Sequence, residues 1–165
     1  MWLRIVSAAL ILQPGAWAVT VAIGVFTATP STISFQMTDP DVGSVNGNAP
    51  AIVSWTFLGV SLLNTPWNLK VHAATPQFTG CTQIPLSAVK AKCTSAAILN
   101  ILGGSATCNG EFTLTTTPTQ LASGLAAVSL LLVSYTARID YSIDDSWKYV
   151  PSTCPLSLTY TLSVD

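Results

Sequence analysis

The residues best able to do chemistry are aspartates in an early loop and near the bend at the end of the chain. Asp140, Asp144 and Asp145 lie close together near the end of the chain, and Asp39 and Asp41 occupy an earlier loop. Carboxylate oxygens are ligands that Ca²⁺ prefers, so Asp140, Asp144 and Asp145 are the weak candidates for a metal site. The spacing does not match the Asp-x-Asp-x-Asp-Gly pattern, and acidic residues are common in turns. We therefore expect no resident metal and no cofactor.

The other residue types that support catalysis are isolated in the sequence. A glycosidase needs two carboxyl groups at a fixed separation, and Glu111 has no partner in the pattern. His72 is the only histidine, and no serine has a Gly-x-Ser-x-Gly setting, so a catalytic triad is not supported. Gly103-Gly104 ends an apolar run and does not form a phosphate-binding loop. We expect no catalytic residues and interpret His72 as a surface side chain.

The first 18 residues have the composition of an export signal. Arg4 supplies a positive charge, and Ile5 to Leu12 is a short apolar run that a Pro-Gly pair ends. Ala16-Trp17-Ala18 then matches the small-x-small cleavage pattern. The apolar run is shorter than the ~20 residues that a membrane span needs. We expect residues 1–18 to be removed and residues 19–165 to form one secreted domain, without a membrane as partner.

Four cysteines indicate an oxidising compartment: Cys81, Cys93, Cys108 and Cys154. An even number behind an export signal predicts disulfide bonds. A zinc site is disfavoured because the chain has no Cys-x-x-Cys and its histidine is remote in sequence. Of the three pairings that four cysteines allow, we expect Cys81–Cys93 and Cys108–Cys154. The first bond would close a short loop, and the second would attach the last strand to the middle of a sheet.

Composition narrows the class of protein and of partner. Half of the residues are hydrophobic and 8% are charged, against ~25% in ordinary soluble domains. Ser, Thr, Asn and Gln supply the polarity instead, which suits a secreted protein built from β-strands. A formal charge of −1 gives no reason to expect nucleic acid or an anionic membrane as partner. Such a low charge also does little to oppose self-association.

The elements that must position these residues are β-strands. Apolar and polar residues alternate over 135–143 and 156–164, so each segment buries one face. The same reasoning predicts earlier strands at Val19 to Thr27, Thr32 to Met37, Ala51 to Leu58, Trp67 to Val71, Leu86 to Cys93 and Glu111 to Thr117. Ser95 to Cys108 remains open between a helical turn and a buried strand. About eight strands and no long helix predict an all-β fold, an antiparallel Greek-key β-sandwich of roughly immunoglobulin-like type.

Three tryptophans have a structural and a functional interpretation. Trp55 and Trp67 lie on strands that resemble a hairpin with a tryptophan on each arm, and Trp147 anchors the last bend. Buried aromatic side chains fill a sandwich core, whereas exposed ones stack on sugars. We expect core packing, and a platform for a polysaccharide is the alternative.

The segment most suited to bind another copy is Val19 to Phe26. Val19, Val21, Ile23 and Val25 share one face of the predicted strand and form the candidate donor strand. An apolar strand without charges attracts other strand edges unless it is paired. It can pair within its own fold, or it can insert into a neighbouring copy. A head-to-tail contact of the second kind extends into a filament.

Three segments and the export signal carry a family resemblance: Thr-Pro-Ser-Thr-Ile-Ser-Phe (Thr29 to Phe35), Phe-Thr-Gly-Cys (Phe78 to Cys81) and Cys-Pro-Leu-Ser-Leu-Thr-Tyr-Thr-Leu (Cys154 to Leu162). In these the chain resembles small exported bacterial β-sandwich proteins of the pilin and spore-coat-protein-U kind. The resemblance implies an edge-exposed sandwich at the cell surface, polymerised in some members by strand donation, and it brings no catalytic residues.

These observations together predict a secreted structural subunit of a surface fibre, pilus or coat, and not an enzyme. Its expected partner is another copy of itself, bound through strand edges. The alternative is a monomeric extracellular module that binds carbohydrate or mediates adhesion.

Overall fold

The computed structural model describes residues 22–37, 43–58, 65–99, 104–126, 133–144, 146 and 149–164. Within them the chain forms two antiparallel sheets, and one short 3₁₀ turn lies at Leu86–Ala88. The strands are β1 Ala22–Thr29, β2 Thr32–Met37, β3 Ser44–Asn46, β4 Ala51–Leu58, β5 Thr65–Ala73, β6 Val89–Ile98, β7 Ser105–Cys108, β8 Phe112–Thr113, β9 Thr119–Ala126, β10 Val133–Asp144 and β11 Ser152–Val164. The predicted all-β sandwich is confirmed, with eleven strands in these residues instead of about eight.

Two neighbouring connections of the chain pass from one sheet to the other. Sheet A has the strand order β1-β4-β10-β6-β8, and β3 pairs with the C-terminal end of β10. Sheet B has the order β2-β11-β5-β9-β7. The neighbours β4 and β10 of sheet A are followed in the chain by β5 and β11, which are neighbours in sheet B. Such paired crossings are the connections of a Greek-key sandwich.

The predicted break at Pro30-Ser31 is where the chain changes sheet. β1 is the outer strand of sheet A, and β2 is the outer strand of sheet B on the same side of the sandwich. Proline has no N–H to donate to a ladder, so it ends one strand at a position where the next can begin in another sheet.

Alternation along four of the strands identifies their inner faces correctly. The predicted inward residues of β2, β4, β5 and β10 are buried: Ile33, Phe35, Met37, Ala51, Val53, Trp55, Phe57, Trp67, Leu69, Val71, Tyr135, Ala137, Ile139, Tyr141 and Ile143. On β11, Leu156, Leu158 and Tyr160 are buried and Leu162 and Val164 are half-buried. The open segment Ser95 to Cys108 contains the end of β6 and the whole of β7, so most of its described part is strand.

The hairpin predicted for β4 and β5 is wrong, because these strands belong to opposite sheets. Trp55 and Trp67 meet across the core instead, with ring centroids 4.9 Å apart and planes at 67°. Tyr135 of β10 stacks on Trp55 at 5.5 Å, and its hydroxyl donates a 3.0 Å hydrogen bond to the carbonyl oxygen of Leu125. The two tryptophans are therefore central packing residues, as the first of the two interpretations predicted.

The predicted disulfide pairing is also wrong. The bonds are Cys81–Cys154 and Cys93–Cys108, with Cα atoms 5.7 Å and 5.3 Å apart. In sheet B two strands separate β7, which carries Cys108, from β11, which carries Cys154. Three strand spacings amount to ~14 Å, about twice the ~7 Å that a disulfide can bridge. Cys108 reaches Cys93 of β6 instead, and this bond joins the two sheets on the side opposite β1 and β2.

Candidate functional site

The predicted acidic cluster is not brought together by the fold. Asp140 and Asp144 lie on the outer face of β10, four residues apart along an extended strand, which separates them by ~13 Å. Each carboxylate forms a separate ion pair with a basic side chain. Asp144 pairs with Lys90 at 2.9 Å, and Asp140 lies 3.5 Å from the Nε atom of Arg138. The Asp144 carboxylate raises the pKa of Lys90, through its hydrogen bond first and its charge second. The geometry is that of surface ion pairs rather than a shared metal site.

Several predicted residues lie outside the described residues. They are Asp39, Asp41, Asp145, Trp147, Val19, Val21 and the export signal 1–18. The predictions made for them stand as predictions.

A polar recess opens beside Arg138 and Asp140 on the outer face of sheet A. Its volume is about 310 Å³, and it is lined by Asn46, Gly47, Ala49, Pro50, Arg138, Asp140 and Tyr141. The guanidinium of Arg138, the carboxylate of Asp140 and the amide of Asn46 can exchange hydrogen bonds with a small polar molecule. Sequence reasoning did not identify Arg138, Asn46 or Gly47 as residues of a site. Spacing in the sequence does not predict that these residues are neighbours. The register of β3 and β4 against β10 brings them together.

Of the aromatic and histidine candidates, the three that the structure describes, Trp55, Trp67 and His72, do not form a binding surface. Trp55 and Trp67 are buried, so neither ring face is open to a sugar. His72 lies on the outer face of β5 opposite Thr159 and is half-buried. Its Nδ1 atom is covered and meets no hydrogen-bond partner among the described residues. His72 is thus less accessible than the surface side chain that the sequence predicts.

The outer edge of β1 is the feature of the predicted donor segment that the structure describes. β1 pairs with β4 from Ala22 opposite Leu58 to Thr29 opposite Ile52, and it is the last strand on that side of sheet A. It contains no charged residue. Ile23 and Val25 are 43% and 57% exposed. β1 therefore pairs within its own fold and leaves its other edge uncovered by any described strand.

A β-bulge changes the face pattern predicted for this strand. The register shifts between Ile23 and Phe26, and the backbone N–H of Val25 donates to the side-chain hydroxyl of Thr56 at 2.8 Å. A Cβ atom at Gly24 would lie 2.7 Å from that hydroxyl oxygen, so glycine is needed for the bulge to lie against β4. After the bulge, Phe26 and Ala28 turn towards the core.

The neighbouring edge, that of β2 in sheet B, is protected. Asn48 caps it from the side: its Oδ1 atom accepts a 2.9 Å hydrogen bond from the N–H of Ser34, and its own N–H donates to the carbonyl of Ser34 at 2.8 Å. Gly47 forms a further bridge to Phe35. These bonds occupy groups that an incoming strand would need, so the edge of β1 is more open than the edge of β2.

Comparison of the chain with protein-family models, with curated proteins and with solved structures gives no match. The described residues include no helix with the length and hydrophobicity of a membrane span. The two disulfide bonds fit an oxidising environment outside the cytosol.

Proposed function

We propose that the chain is an exported structural subunit of a surface fibre, pilus or coat, and that its copies associate through the edge of β1. The observation that carries the proposal is this uncharged edge, which no described strand covers and on which Ile23 and Val25 are exposed. A strand edge presents N–H and C=O groups at the spacing of another strand, so its complement is a second strand edge. Another copy of the chain supplies one without any further protein.

Addition at the edge fits the fold better than donation of the strand. β1 is already paired with β4, and Phe26 and Ala28 pack against the core. Donating β1 would remove these contacts from the donor unless a further copy replaced them. Edge addition keeps every subunit intact and gains backbone hydrogen bonds at the new contact.

Sheet A offers a second edge on its far side, formed by β6. β8 and Leu114 cover β6 only from Val89 to Ala91, and no described strand continues along that side of β6. Pairing of β1 in one copy with β6 in the next would join sheets head to tail and extend into a filament. Pairing of β1 with β1 would close a two-fold dimer.

Lysine at an outward position of β1 tests the proposal. Thr27 is exposed on the edge strand, and T27K places a charge that must be desolvated when another strand approaches. T159K is the matched control, because Thr159 is also exposed but lies on β11 of sheet B, opposite His72 of β5 and away from the β1 edge. Sedimentation velocity and electron microscopy of the exported protein should show assemblies for the wild type and T159K, and dissociated subunits for T27K.

Two results would count against this function. A wild type that sediments as a monomer at every accessible concentration would exclude self-assembly. Equal assembly of T27K and T159K would exclude the β1 edge as the contact.

The recess beside Arg138 favours one other function, an extracellular module that binds carbohydrate. Its donors and acceptors suit sugar hydroxyls, although no described aromatic ring lies open beside it. Titration calorimetry with polysaccharides should then give binding that R138A removes and T27K retains. Binding that R138A leaves unchanged would separate the recess from any carbohydrate contact.

A further inference from the structure

The polar recess on the outer face of sheet A is a gap between two strands that share one side of β10. β6 pairs with β10 along the whole of this region, so β4 and β3 must pair with its other side. There the pairing of β4 ends at Ile139, and that of β3 begins at Ser142. No described strand pairs with Asp140 or Tyr141 on that side, and both residues line the recess.

The link 47–50 between β3 and β4 forms a fixed wall of this gap. Gly47 stays on β10, because its N–H donates to the carbonyl oxygen of Tyr141 at 2.8 Å. Asn48 turns towards β2, where it forms two hydrogen bonds with the backbone of Ser34. These bonds hold the wall in position, so binding of a ligand costs little conformational entropy of the chain.

Arg138 and Asp140 place hydrogen-bond donors and acceptors side by side at the gap. Both side chains lie on the outer face of β10, and about half of each is exposed. The Nε atom of Arg138 lies 3.5 Å from one carboxylate oxygen of Asp140. Among the described residues neither side chain has another ion pair or hydrogen bond, so the terminal guanidinium nitrogens and the second carboxylate oxygen can bond to a ligand. The amide of Asn46 adds a further donor and acceptor.

Charge and volume favour a small uncharged ligand. One positive and one negative side chain line the recess, so its net charge attracts neither anions nor cations. Its volume of about 310 Å³ is at the lower limit of ligand pockets, which suits a single sugar ring. The phenol of Tyr141 is bonded to Tyr160 in the core, so a ligand gains no ring stacking from it. The binding energy must therefore come from hydrogen bonds.

We propose that the recess binds the terminal ring of an uncharged oligosaccharide through two adjacent hydroxyls, one accepting from Arg138 and one donating to Asp140. Each hydroxyl of a sugar can donate and accept, which matches a donor group that lies beside an acceptor group. This ligand class deepens the carbohydrate function proposed above and rests on it. The pairing of β1 with β4 ends at Ile52, before Pro50 at the recess, so self-assembly through β1 does not use the recess residues.

Saturation-transfer NMR with methyl glycosides tests the ligand class, and it works for single subunits and for large assemblies. The methyl glycosides of glucose, galactose and mannose are uncharged single rings. At least one of them should receive saturation from the purified protein, most strongly at two adjacent ring positions. Its dissociation constant should lie in the millimolar range, because one ring makes few contacts. Methyl glucuronide, which adds a carboxylate to the ring, should bind no more tightly.

Matched variants locate the site. R138K keeps the positive charge and removes the planar donor group, and D140N removes the carboxylate at nearly constant shape. Each should lower the affinity for the glycoside about tenfold. K92A is the control, because Lys92 lies on the neighbouring strand β6 opposite Asp140 but does not line the recess. K92A should bind as the wild type does. Circular dichroism and the midpoint of thermal unfolding verify that each variant is folded.

Four results would overturn the proposal. Absence of a signal from all three glycosides would exclude the single-ring site. If a polysaccharide still binds and R138A removes that binding, the carbohydrate function stands and only the ligand class is wrong; if nothing binds, both fail. Equal affinities of R138K, D140N and the wild type would place the sugar elsewhere on the protein. Tighter binding of methyl glucuronide that high salt removes would make the recess an anion site. T27K should bind glycosides normally, so failure of self-assembly leaves this result unaffected.

Discussion

The phenol oxygens of Tyr141 and Tyr160 lie 2.8 Å apart inside the sandwich, and each sheet contributes one of them. Both side chains are buried, and a hydroxyl can donate to and accept from the other. Each hydroxyl therefore satisfies its partner in an interior where an unpaired polar group is costly. The pair joins β10 to β11, the two strands that the alternation at the end of the chain predicts.

The two hydroxyls should be coupled: the stability losses of the two single variants should add up to more than the loss of the double variant. Y141F or Y160F leaves a buried hydroxyl unpaired and should lower the free energy of unfolding by about 1–3 kcal/mol. In Y141F/Y160F no hydroxyl remains, so the loss should be smaller than the sum of the two single losses. Urea unfolding of the four proteins measures this coupling. Strictly additive losses would show that the two hydroxyls do not depend on each other.

Stability should fall at alkaline pH because of the same pair. Burial, and then the neighbouring Tyr160, raise the pKa of Tyr141 well above its usual value. Burial raises the pKa of Tyr160 to about 12, although its hydrogen bond with Tyr141 acts in the opposite direction. Above pH ~10 the tyrosines of the unfolded chain lose their protons, whereas both of these phenols keep theirs in the folded state. Their contribution is therefore complete below pH ~10 and is lost above it, by about 1.4 kcal/mol per pH unit for each tyrosine.

Urea unfolding at several pH values between neutral and about 12 measures that slope, and phenolate absorbance follows the ionisation directly. Lys90, whose pKa is also raised, deprotonates in the same range and remains in every variant. Y141F/Y160F should thus keep only a shallow dependence on pH. A slope as steep as that of the wild type would assign the alkaline loss to other groups.

The two disulfides should differ in their contribution to stability. Cys81–Cys154 spans 73 residues and Cys93–Cys108 spans 15. In the chain-entropy relation these spans correspond to about 4.4 and 3 kcal/mol. Replacing Cys81 and Cys154 together by alanine should therefore lower the urea midpoint more than replacing Cys93 and Cys108 does. Mass spectrometry of non-reduced peptides checks the connectivity, and a peptide that links Cys81 to Cys93 would contradict the structure.

Gly124 should tolerate no side chain. A Cβ atom there would overlap the carbonyl oxygen of Ser105 on the paired strand β7, and it would lie 2.6 Å from the Cζ2 atom of Trp67. G124A should therefore push β7 away from β9 and lower the free energy of unfolding by about 1–3 kcal/mol. Gly110 has open space around the same position, so G110A is the matched control and should change stability little. Equal unfolding midpoints for the two variants would contradict the packing described.

The sequence by itself determined which side of each strand is buried. A strand has a period of two, so the alternation at Ile33, Phe35 and Met37 specifies an inner face wherever that strand lies. The same local chemistry predicted the break at Pro30-Ser31. Even spacing of short strands, and four cysteines behind a predicted export signal, were sufficient to predict a sandwich and disulfide bonding.

Only the tertiary structure decided which elements are neighbours. The alternation of β4 and β5 is the same whether the two strands pair in one sheet or pack across the core from opposite sheets. The predicted hairpin was wrong because the pattern does not distinguish these arrangements, and Trp55 and Trp67 in fact meet across the core. The disulfide partners depend on how many strands separate two cysteines, a distance that the fold alone sets. The recess at Arg138 was missed for the same reason. It assembles residues from strands far apart in sequence, and no local period records contacts of that kind.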